Sequence, residues 1–172
     1  MDYIYYLYPL RTFLVVAGSV EKPNAMTADW VTPLSFTPPL LGVSIGHKRY
    51  TKKLIEDQGD FVISVPTLEL LRDVWIAGTV SGAKVNKAEM LSVNFVESKS
   101  VKAPSIRECQ ANLECKLVNQ VEAGDHTFFI GEIVNVSYGD AFKEKPDIGN
   151  YKFIMHLKGR DFTTNSSEIY NP

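Results

Sequence analysis

The feature that most constrains the fold is a series of short runs rich in β-branched and aromatic residues, most of them closed by a glycine or proline. These runs lie at residues 12–17, 31–36, 40–45, 61–65, 93–96, 111–119 and 127–138. Such runs are typical of β-strands, and the Pro38-Pro39 pair belongs at an edge or corner because proline cannot donate to a ladder. Gly131 inside the longest run predicts a bend. Together the runs predict a mainly β protein, a closed barrel with a few short helices.

Two segments have helical spacing instead. Residues 51–58 start with Thr51, a residue type that suits an N-cap, and stop at Gly59, which suits a helix C-terminus. Residues 69–77 place apolar side chains at helical intervals. Both helices are therefore predicted to be short insertions between strands.

The remaining segments are predicted to be irregular. Residues 78–87 and 139–150 contain glycines and polar residues and read as loops. The polar tail 163–172 is expected to be loosely ordered unless a partner holds it. No repeat or change of composition divides the chain, so residues 1–172 are predicted to form a single domain.

Charge and hydropathy exclude several classes of partner. A formal net charge of -2 argues against a nucleic-acid or acidic-membrane binder, which needs a clustered basic excess. The apolar runs are too short to span a bilayer, and the N-terminus lacks the features of a secretory signal. The expectation is a cytoplasmic protein that binds neither nucleic acid nor membrane.

The two cysteines, Cys109 and Cys115, lie six residues apart. On one strand they would share a face about 20 Å apart, too far for a disulfide bond. A zinc or cluster site needs more ligands at closer spacing, so no metal site is expected. Structural thiols that stay reduced are the favoured interpretation over a redox role.

The segment 24–30 combines small, polar and turn-forming residues with Trp30. A loop with exposed backbone amides could read the hydrogen-bonding edge of a flat heteroaromatic ring, such as the pyrimidine side of a flavin. A polar loop with one buried tryptophan fits the same residues. The residues alone leave both readings open.

Two segments could bind an anion. Residues 47–51 lie at the start of a predicted helix. The N-terminal N–H groups of the helix, together with the side chains of Lys48, Arg49 and Thr51, would bind a phosphate. In residues 81–87, Gly82 would permit close backbone approach. A solvated loop and a surface turn are the alternative interpretations.

The segment 124–127 places His126 at the entrance of the longest strand. There its imidazole could orient an anionic cofactor or share a proton. The alternative is a turn histidine that hydrogen-bonds to the backbone. We interpret His47 and His156 as structural histidines of this kind. The sequence contains no Cys/His metal cluster, nucleophile elbow, phosphate-binding lysine loop or Rossmann fingerprint.

These segments, in this order, resemble the flavin reductase-like family of FMN-binding split β-barrels, which includes flavoredoxin and the small reductase components of two-component monooxygenases. The resemblance spans roughly residues 9–162. It is carried by residues 24–39, 43–46, 49–51, 59–66, 77–78, 81–82, 103–104, 108–109, 124–127 and 131–132.

The resemblance implies a Greek-key split barrel that forms a homodimer, with FMN, less often FAD, near the subunit interface. The residues that would line the flavin ring and ribityl chain are Asn24, Ala25, Met26, Thr27 and Trp30, with Thr32 and Ser44 nearby. The residues that would hold the phosphate are Arg49, Tyr50 and Thr51, with Ser81, Gly82 and Lys87 on the second loop. His126 corresponds to the family histidine on the reactive side of the flavin. Many members have an arginine where this chain has Ala83, followed by Lys84, which puts this loop's phosphate contact in question.

Three functions compete. The leading one is an NAD(P)H-dependent flavin reductase that passes electrons to a second acceptor. The alternative is a flavoredoxin-type electron-transfer protein that keeps FMN tightly bound and exchanges electrons with a redox partner protein. A flavin-storing dimer without turnover is the third.

Overall fold

The computed structural model describes residues 3–138 and 148–171. Its strands are β1 (Leu10–Arg11), β2 (Phe13–Gly18), β3 (Pro23–Ala28), β4 (Val31–Phe36), β5 (Pro39–Gly46), β6 (Asp60–Val65), β7 (Phe95–Val96), β8 (Ser105–Ile106), β9 (Ala111–Ala123), β10 (His126–Tyr138), β11 (Met155–Lys158) and β12 (Asp161–Thr163). The helices are α1 (Tyr50–Gln58) and α2 (Leu71–Thr79), with 3-10 turns at Tyr3–Leu7, Leu68–Leu70 and Lys87–Glu89. The predicted mainly β class with few short helices is confirmed.

Seven strands form one antiparallel sheet in the order β3-β2-β6-β9-β10-β5-β4. Strands β3 and β4 are its two edges, yet only Asp29 and Trp30 separate them in the chain. The sheet must therefore curl until its edges meet, which produces a barrel split along this line. Strands β1, β11 and β12 form a smaller sheet, and β7 pairs with β8.

The predicted bend at Gly131 is present. The register of β10 against β9 shifts between Ile130 and Gly131. A Cβ at Gly131 would lie 2.6 Å from the ring of Phe61 and 2.9 Å from the Cβ of Cys115. Glycine is needed here because the strand passes too close to the core for any side chain.

The predicted loop at residues 24–30 is wrong for most of its length. Residues Pro23–Ala28 form β3, which pairs with β2 from Ala17↔Asn24 to Phe13↔Ala28. Small polar residues have weak strand propensity, but pairing with a buried neighbouring strand overrides that preference. Only the connection through Asp29 and Trp30 remains a turn.

The predicted N-cap of α1 is also wrong. The helix begins at Tyr50, and Arg49 occupies the cap position without a side-chain hydrogen bond. Thr51 lies inside the first turn, where its hydroxyl is engaged from another strand. At the other end, Gly59 has φ 77° and its N–H bonds the carbonyl of Ile55, so the predicted C-terminal glycine is confirmed.

Helix α2 extends beyond the predicted end at Ala77 and includes Gly78. A Cβ at Gly78 would lie 3.2 Å from the Cβ of Thr27. The hydroxyl of Thr27 donates to the carbonyl of Val74 in the same helix. Because Gly78 has no side chain, α2 can approach the middle of β3 closely. This contact shapes the site described below.

The core has two main clusters because the central strands bury both faces. One cluster includes Val15, Val43, Ile55, Phe61, Cys115 and Phe129, and the other includes Leu14, Val16, Val62, Val74, Cys109 and Ile106. Cys109 lies before β9 and Cys115 within it, so the two thiols face different clusters and not one strand face. Burial raises the pKa of both free thiols far above the ordinary value.

The C-terminal tail is held at Asn165. Its side-chain oxygen accepts from the N–H of Phe153 (2.8 Å), and its amide donates to the carbonyls of Ile148 (3.1 Å) and Tyr151 (3.2 Å). The start of the tail is thus more ordered than expected. Most of the predicted loop 139–150 lies outside the described residues. Across residues 3–138 and 148–171, no helix has both the length and the apolarity to cross a bilayer.

Candidate functional site

Three cavities meet where the barrel splits, and the side chain of Arg49 lines all of them. The anion cavity (about 70 Å³) lies between the start of α1 and residues 80–87. The ring cavity (about 190 Å³) lies at the β3–β4 turn and the end of β5. The aromatic cavity (about 180 Å³) lies between α2 and the β11–β12 hairpin. The three cavities share Arg49 as a common wall and are together called the groove.

The anion cavity contains an unsatisfied polar atom. Asn24 is 3% exposed, and its amide donates to the hydroxyl of Thr51 at 2.8 Å. Its side-chain oxygen is buried and has no hydrogen-bond partner among the described residues. A Cβ at Gly82 would lie only 2.0 Å from this oxygen. A buried acceptor left unpaired costs about 1–3 kcal/mol, so such an atom marks a place where a ligand or water completes the structure.

Lys87 supplies buried positive charge beside this atom. Its ammonium donates to the carbonyls of Ala25 and Ala77, both at 2.7 Å, which ties β3 to α2. Burial lowers the pKa of Lys87 to about 8, and the positive charge of Arg49 adds to the effect. Because an ammonium has three donors, one remains for an anion in the cavity.

The wall of the anion cavity matches the sequence expectation closely. The predicted residues that line it are Asn24, Met26, Arg49, Tyr50, Thr51, Ser81, Gly82 and Lys87. Lys84 lies instead in a neighbouring groove of about 690 Å³, together with Lys22. Lys84 therefore does not replace the missing family arginine inside the anion cavity.

The ring cavity is built from the β3–β4 turn. Trp30 donates its indole N–H to the hydroxyl of Tyr8 at 3.2 Å, and its ring centroid lies 4.8 Å from that of His126. His126 pairs with Gly46 across β10 and β5, and its imidazole contacts Asp125 at 2.6 Å. Met26, Thr27 and Ser44 complete the predicted part of the wall. His126 thus lines the ring cavity beside Trp30.

Two predicted residues do not enter these cavities through their side chains. Thr32 is exposed on β4, and its hydroxyl donates to the carbonyl of Pro33 at 3.3 Å. Ala25 packs into the core cluster under α2, and only its carbonyl contributes, by accepting from Lys87. Strand alternation explains the position of Ala25, since its neighbours Asn24 and Met26 line the anion cavity.

Three residues at the site were not anticipated: Tyr8, Asp29 and His156. The imidazole of His156 lies 2.7 Å from a carboxylate oxygen of Asp29, although 127 positions separate them. The other oxygen of Asp29 accepts from the hydroxyl of Thr12 at 2.8 Å. Burial raises the pKa of Tyr8, and the charge of Asp29 adds to this, against the opposing hydrogen bond from Trp30. No local pattern could mark residues brought together only by closure of the barrel.

A further groove of about 620 Å³ lies around Arg107, Gln110 and Glu114. Glu114 is 1% exposed, but it accepts from the N–H groups of Lys99 (3.1 Å) and Ser100 (2.6 Å). The amide of Asn135 donates to it as well, at 2.8 Å. This carboxylate is a satisfied structural acceptor, whereas the buried side-chain oxygen of Gln110 has no hydrogen-bond partner among the described residues. The groove at the split is the stronger candidate site because it brings together most of the residues that carry the family resemblance.

The comparison with family models decides the family of the chain. The model of the flavin reductase like domain matches residues 5–160. The chain belongs to the flavin reductase-like family. The resemblance noted from the sequence is thereby confirmed.

The sequences of related proteins align with most of the length of this flavin reductase-like protein. A protein of Archaeoglobus fulgidus without assigned function is 68% identical over 169 residues, which cover 97% of this chain and 94% of the relative. The NADH-dependent FAD reductase of Streptomyces globisporus is 28% identical over 131 residues, which cover 76% of this chain and 70% of the relative.

Solved structures show the same fold. The flavoredoxin of Desulfovibrio vulgaris (Miyazaki F) is 30% identical with a TM-score of 0.85, over 95% of this chain and 91% of that one. An FMN-binding protein from Thermus thermophilus is 26% identical with a TM-score of 0.91, over 100% of this chain and 95% of that one. The predicted split-barrel fold is thus confirmed.

Proposed function

We propose that this flavin reductase-like protein binds FMN along the groove, with the isoalloxazine in the ring cavity and the phosphate in the anion cavity. The observation that carries the proposal is that Met26 and Arg49 line both cavities, so one ligand can occupy them together. The cations Arg49 and Lys87 fit the anionic phosphate end, and the unpartnered oxygen of Asn24, which is an acceptor, fits a hydroxyl donor such as those of the ribityl chain. The contact between Trp30 and His126 provides an aromatic wall for the ring end.

The size of the anion cavity favours FMN over FAD. A space of about 70 Å³ fits a terminal phosphate and leaves no room for a second nucleotide. The adenylate half of FAD would have to leave through the neighbouring groove beside Lys22 and Lys84. Equilibrium binding of FMN, FAD and riboflavin, followed by flavin fluorescence, tests the choice: FAD tighter than FMN would contradict it.

The proposed activity is reduction of the flavin by NAD(P)H, with electrons then passed to a second acceptor. The bound flavin supplies the hydride-accepting chemistry. The protein positions the reactants: Arg49 and Lys87 fix the phosphate end, Trp30 packs beside the ring, and His126 orients the nicotinamide or holds a proton at its imidazole. Asp125 fixes the orientation of His126 through their 2.6 Å contact.

The test is anaerobic mixing of the FMN-loaded protein with NADH or NADPH, monitored at the flavin absorbance band. Bleaching within seconds by either donor is expected. If neither donor reduces the flavin, the reductase proposal fails. Reduction by dithionite but by neither nicotinamide donor would support the interpretation as a flavin-storing protein.

The second candidate is an electron-transfer protein with tightly bound FMN and a redox partner protein. Likeness to a flavoredoxin at 30% identity favours it. It predicts a yellow protein after gel filtration, slow reduction by NAD(P)H and fast reduction by a ferredoxin-like protein. The same anaerobic experiment, with reduced ferredoxin as a third donor, separates the two candidates.

We also propose a homodimer. The edge strand β4 exposes Leu34 (44%) and Phe36 (100%), and an apolar edge strand left open is prone to association. Light scattering after gel filtration should give twice the 19.3 kDa chain mass, and Phe36→Lys should shift the protein toward monomer. A wild-type mass of one chain would contradict the proposal. The free thiols Cys109 and Cys115 fit a reducing compartment, for which we propose the cytoplasm.

A further inference from the structure

The aromatic cavity is not needed for the proposed FMN pose. It has a volume of about 180 Å³ and shares Thr27, Asp29 and Arg49 with the ring cavity. Its own walls come from Trp75 on α2 and from His156 and Phe162 on the β11–β12 hairpin. The rings of Trp75 and Phe162 meet edge to face, with centroids 6.4 Å apart and planes at 88°. It is therefore an aromatic compartment that opens onto the ring cavity.

The volume limits what this compartment can hold. A cavity of about 150 Å³ accommodates a benzene molecule, whereas ligands of drug size or larger occupy about 300–1,000 Å³. The aromatic cavity, at about 180 Å³, therefore fits one six-membered ring with a small substituent. It is too small for a dinucleotide.

The Asp29 carboxylate is held by protein groups in this wall. The Nδ1 of His156 lies 2.7 Å from one of its oxygens, and the Nε2 of His156 faces the carbonyl of Gly159 at 3.2 Å. The other oxygen of Asp29 accepts from the hydroxyl of Thr12 at 2.8 Å. Both oxygens of Asp29 thus already have partners within the protein.

The remaining charge at the cavity is positive. Arg49 donates one guanidinium N–H to the carbonyl of Gly78 (3.1 Å) and has no carboxylate partner among the described residues. Its other donors remain for ligands, in the planar fork that matches a carboxylate. The guanidinium of Arg160 lies 5.1 Å from the centre of the Trp75 ring. With both oxygens of Asp29 engaged by Thr12 and His156, the two arginines dominate and the cavity attracts an anion.

We propose that the aromatic cavity is a second ligand site for a single-ring aromatic carboxylate, with the ring against Trp75 and Phe162 and the carboxylate on Arg49. The placement beside the flavin ring rests on the proposed FMN pose, whereas the site itself is formed by the protein alone. The charge selects against nicotinamide, which is neutral when reduced and cationic when oxidised. His156 acts as a positioning residue that holds the Asp29 carboxylate away from the ligand.

Sodium benzoate is the probe, and benzamide is its neutral control of the same shape. Isothermal titration should show benzoate binding about tenfold or more tightly than benzamide or nicotinamide, since the charge pairing is lost with the neutral rings. Equal or tighter binding of the neutral rings, or no benzoate binding at millimolar concentration, overturns the proposal.

Two variants separate electrostatics from packing. His156→Gln replaces the imidazole that holds the Asp29 carboxylate, which frees that charge to repel the ligand, and should weaken benzoate binding about tenfold. Asp29→Asn removes the charge and should preserve or tighten binding. His47→Gln, at an exposed histidine paired with Glu122 (2.8 Å), is the matched control and should change nothing. Weakening by both His156→Gln and Asp29→Asn, with thermal unfolding unchanged, contradicts the electrostatic role.

The titrations are run on the protein with and without saturating FMN. If benzoate binds while FMN does not, the FMN proposal fails and this one stands. If FMN binds while benzoate does not, the reverse holds. Trp75→Leu should weaken benzoate binding with FMN affinity unchanged; equal loss of both ligands would place benzoate in the ring cavity and overturn the assignment.

Discussion

The side-chain amide of Asn24 donates a hydrogen bond to the hydroxyl of Thr51 at 2.8 Å, across 27 residues of sequence. This bond joins β3 to the first turn of α1 and fixes which end of the amide faces Gly82. The side-chain oxygen of Asn24 is thereby left buried and unpaired at the anion cavity. The local structure is complete only when something donates to that oxygen.

Gly82→Ala should block the anion cavity. The added methyl would lie 2.0 Å from the oxygen of Asn24 and 3.3 Å from the Tyr50 ring, so the loop or the amide must shift. We expect FMN affinity to fall at least about tenfold, with a loss of about 1–3 kcal/mol in the free energy of unfolding. Fluorescence titration and urea unfolding measure the two effects.

Gly59→Ala is the control for that variant. Gly59 has φ 77° but open space around its Cβ position, so alanine strains the backbone without filling any cavity. It should lose about 1 kcal/mol of stability and keep FMN affinity. Equal loss of FMN affinity in both variants would mean that stability, and not cavity shape, controls binding.

FMN binding should take up protons near pH 8. The pKa of Lys87 is lowered to about 8 in the free protein, mainly by burial, and a phosphate beside the ammonium would raise it. FMN affinity is therefore expected to be greatest below pH 8 and to fall as the pH rises through that value. Titration calorimetry at pH 8 to 9, in buffers of different ionisation enthalpy, measures the uptake.

Riboflavin, which lacks the phosphate, is the matched ligand control and should show little proton uptake. The free protein gives a second check. Because the folded pKa of Lys87 lies below the unfolded value, the contribution of Lys87 to stability should rise with pH from about 8 toward about 10.4. The buried thiols Cys109 and Cys115 act in the opposite direction, since their pKa is raised by folding. The contribution of Lys87 is therefore measured as the difference in pH dependence between the wild type and Lys87→Met, and the absence of a difference would contradict its buried state.

His126→Asn should slow flavin reduction more than it weakens FMN binding. His126 lines the ring cavity against Trp30, and removing a proton-carrying or orienting side chain typically costs about 100-fold or more. Stopped-flow reduction by NADH or NADPH should show that loss, with FMN affinity changed only a few-fold. Asp125→Asn should have a smaller effect. A wild-type rate in His126→Asn would remove His126 from the mechanism.

Gly131→Ala should destabilise the barrel without touching the groove. Its methyl would overlap the ring of Phe61 at 2.6 Å and the Cβ of Cys115 at 2.9 Å. Overpacking of this kind costs about 1–3 kcal/mol. Urea unfolding should show the loss, and Phe61→Leu in the same chain should recover part of it. Independent, additive effects of the two substitutions would contradict the contact.

Much of the fold could be predicted from the sequence because the residue patterns that indicate strands are local. The runs 31–36 and 61–65, the bend at Gly131 and the helix end at Gly59 all depend on residue types within a few positions. The assignment of residues 24–30 failed because β3 is a strand only through its pairing with β2.

The candidate site also has one part that the sequence predicts and another that depends on tertiary contacts. The sequence by itself determined the anion cavity and most of the ring cavity, since Met26, Arg49, Thr51 and Gly82 lie in segments whose order marks the family. Tertiary structure alone decided that Thr32 points away, that Lys87 spans two carbonyls, and that Asp29 meets His156. These contacts form when the edges of the sheet converge, and a linear sequence carries no local signal of which distant residues that closure brings together.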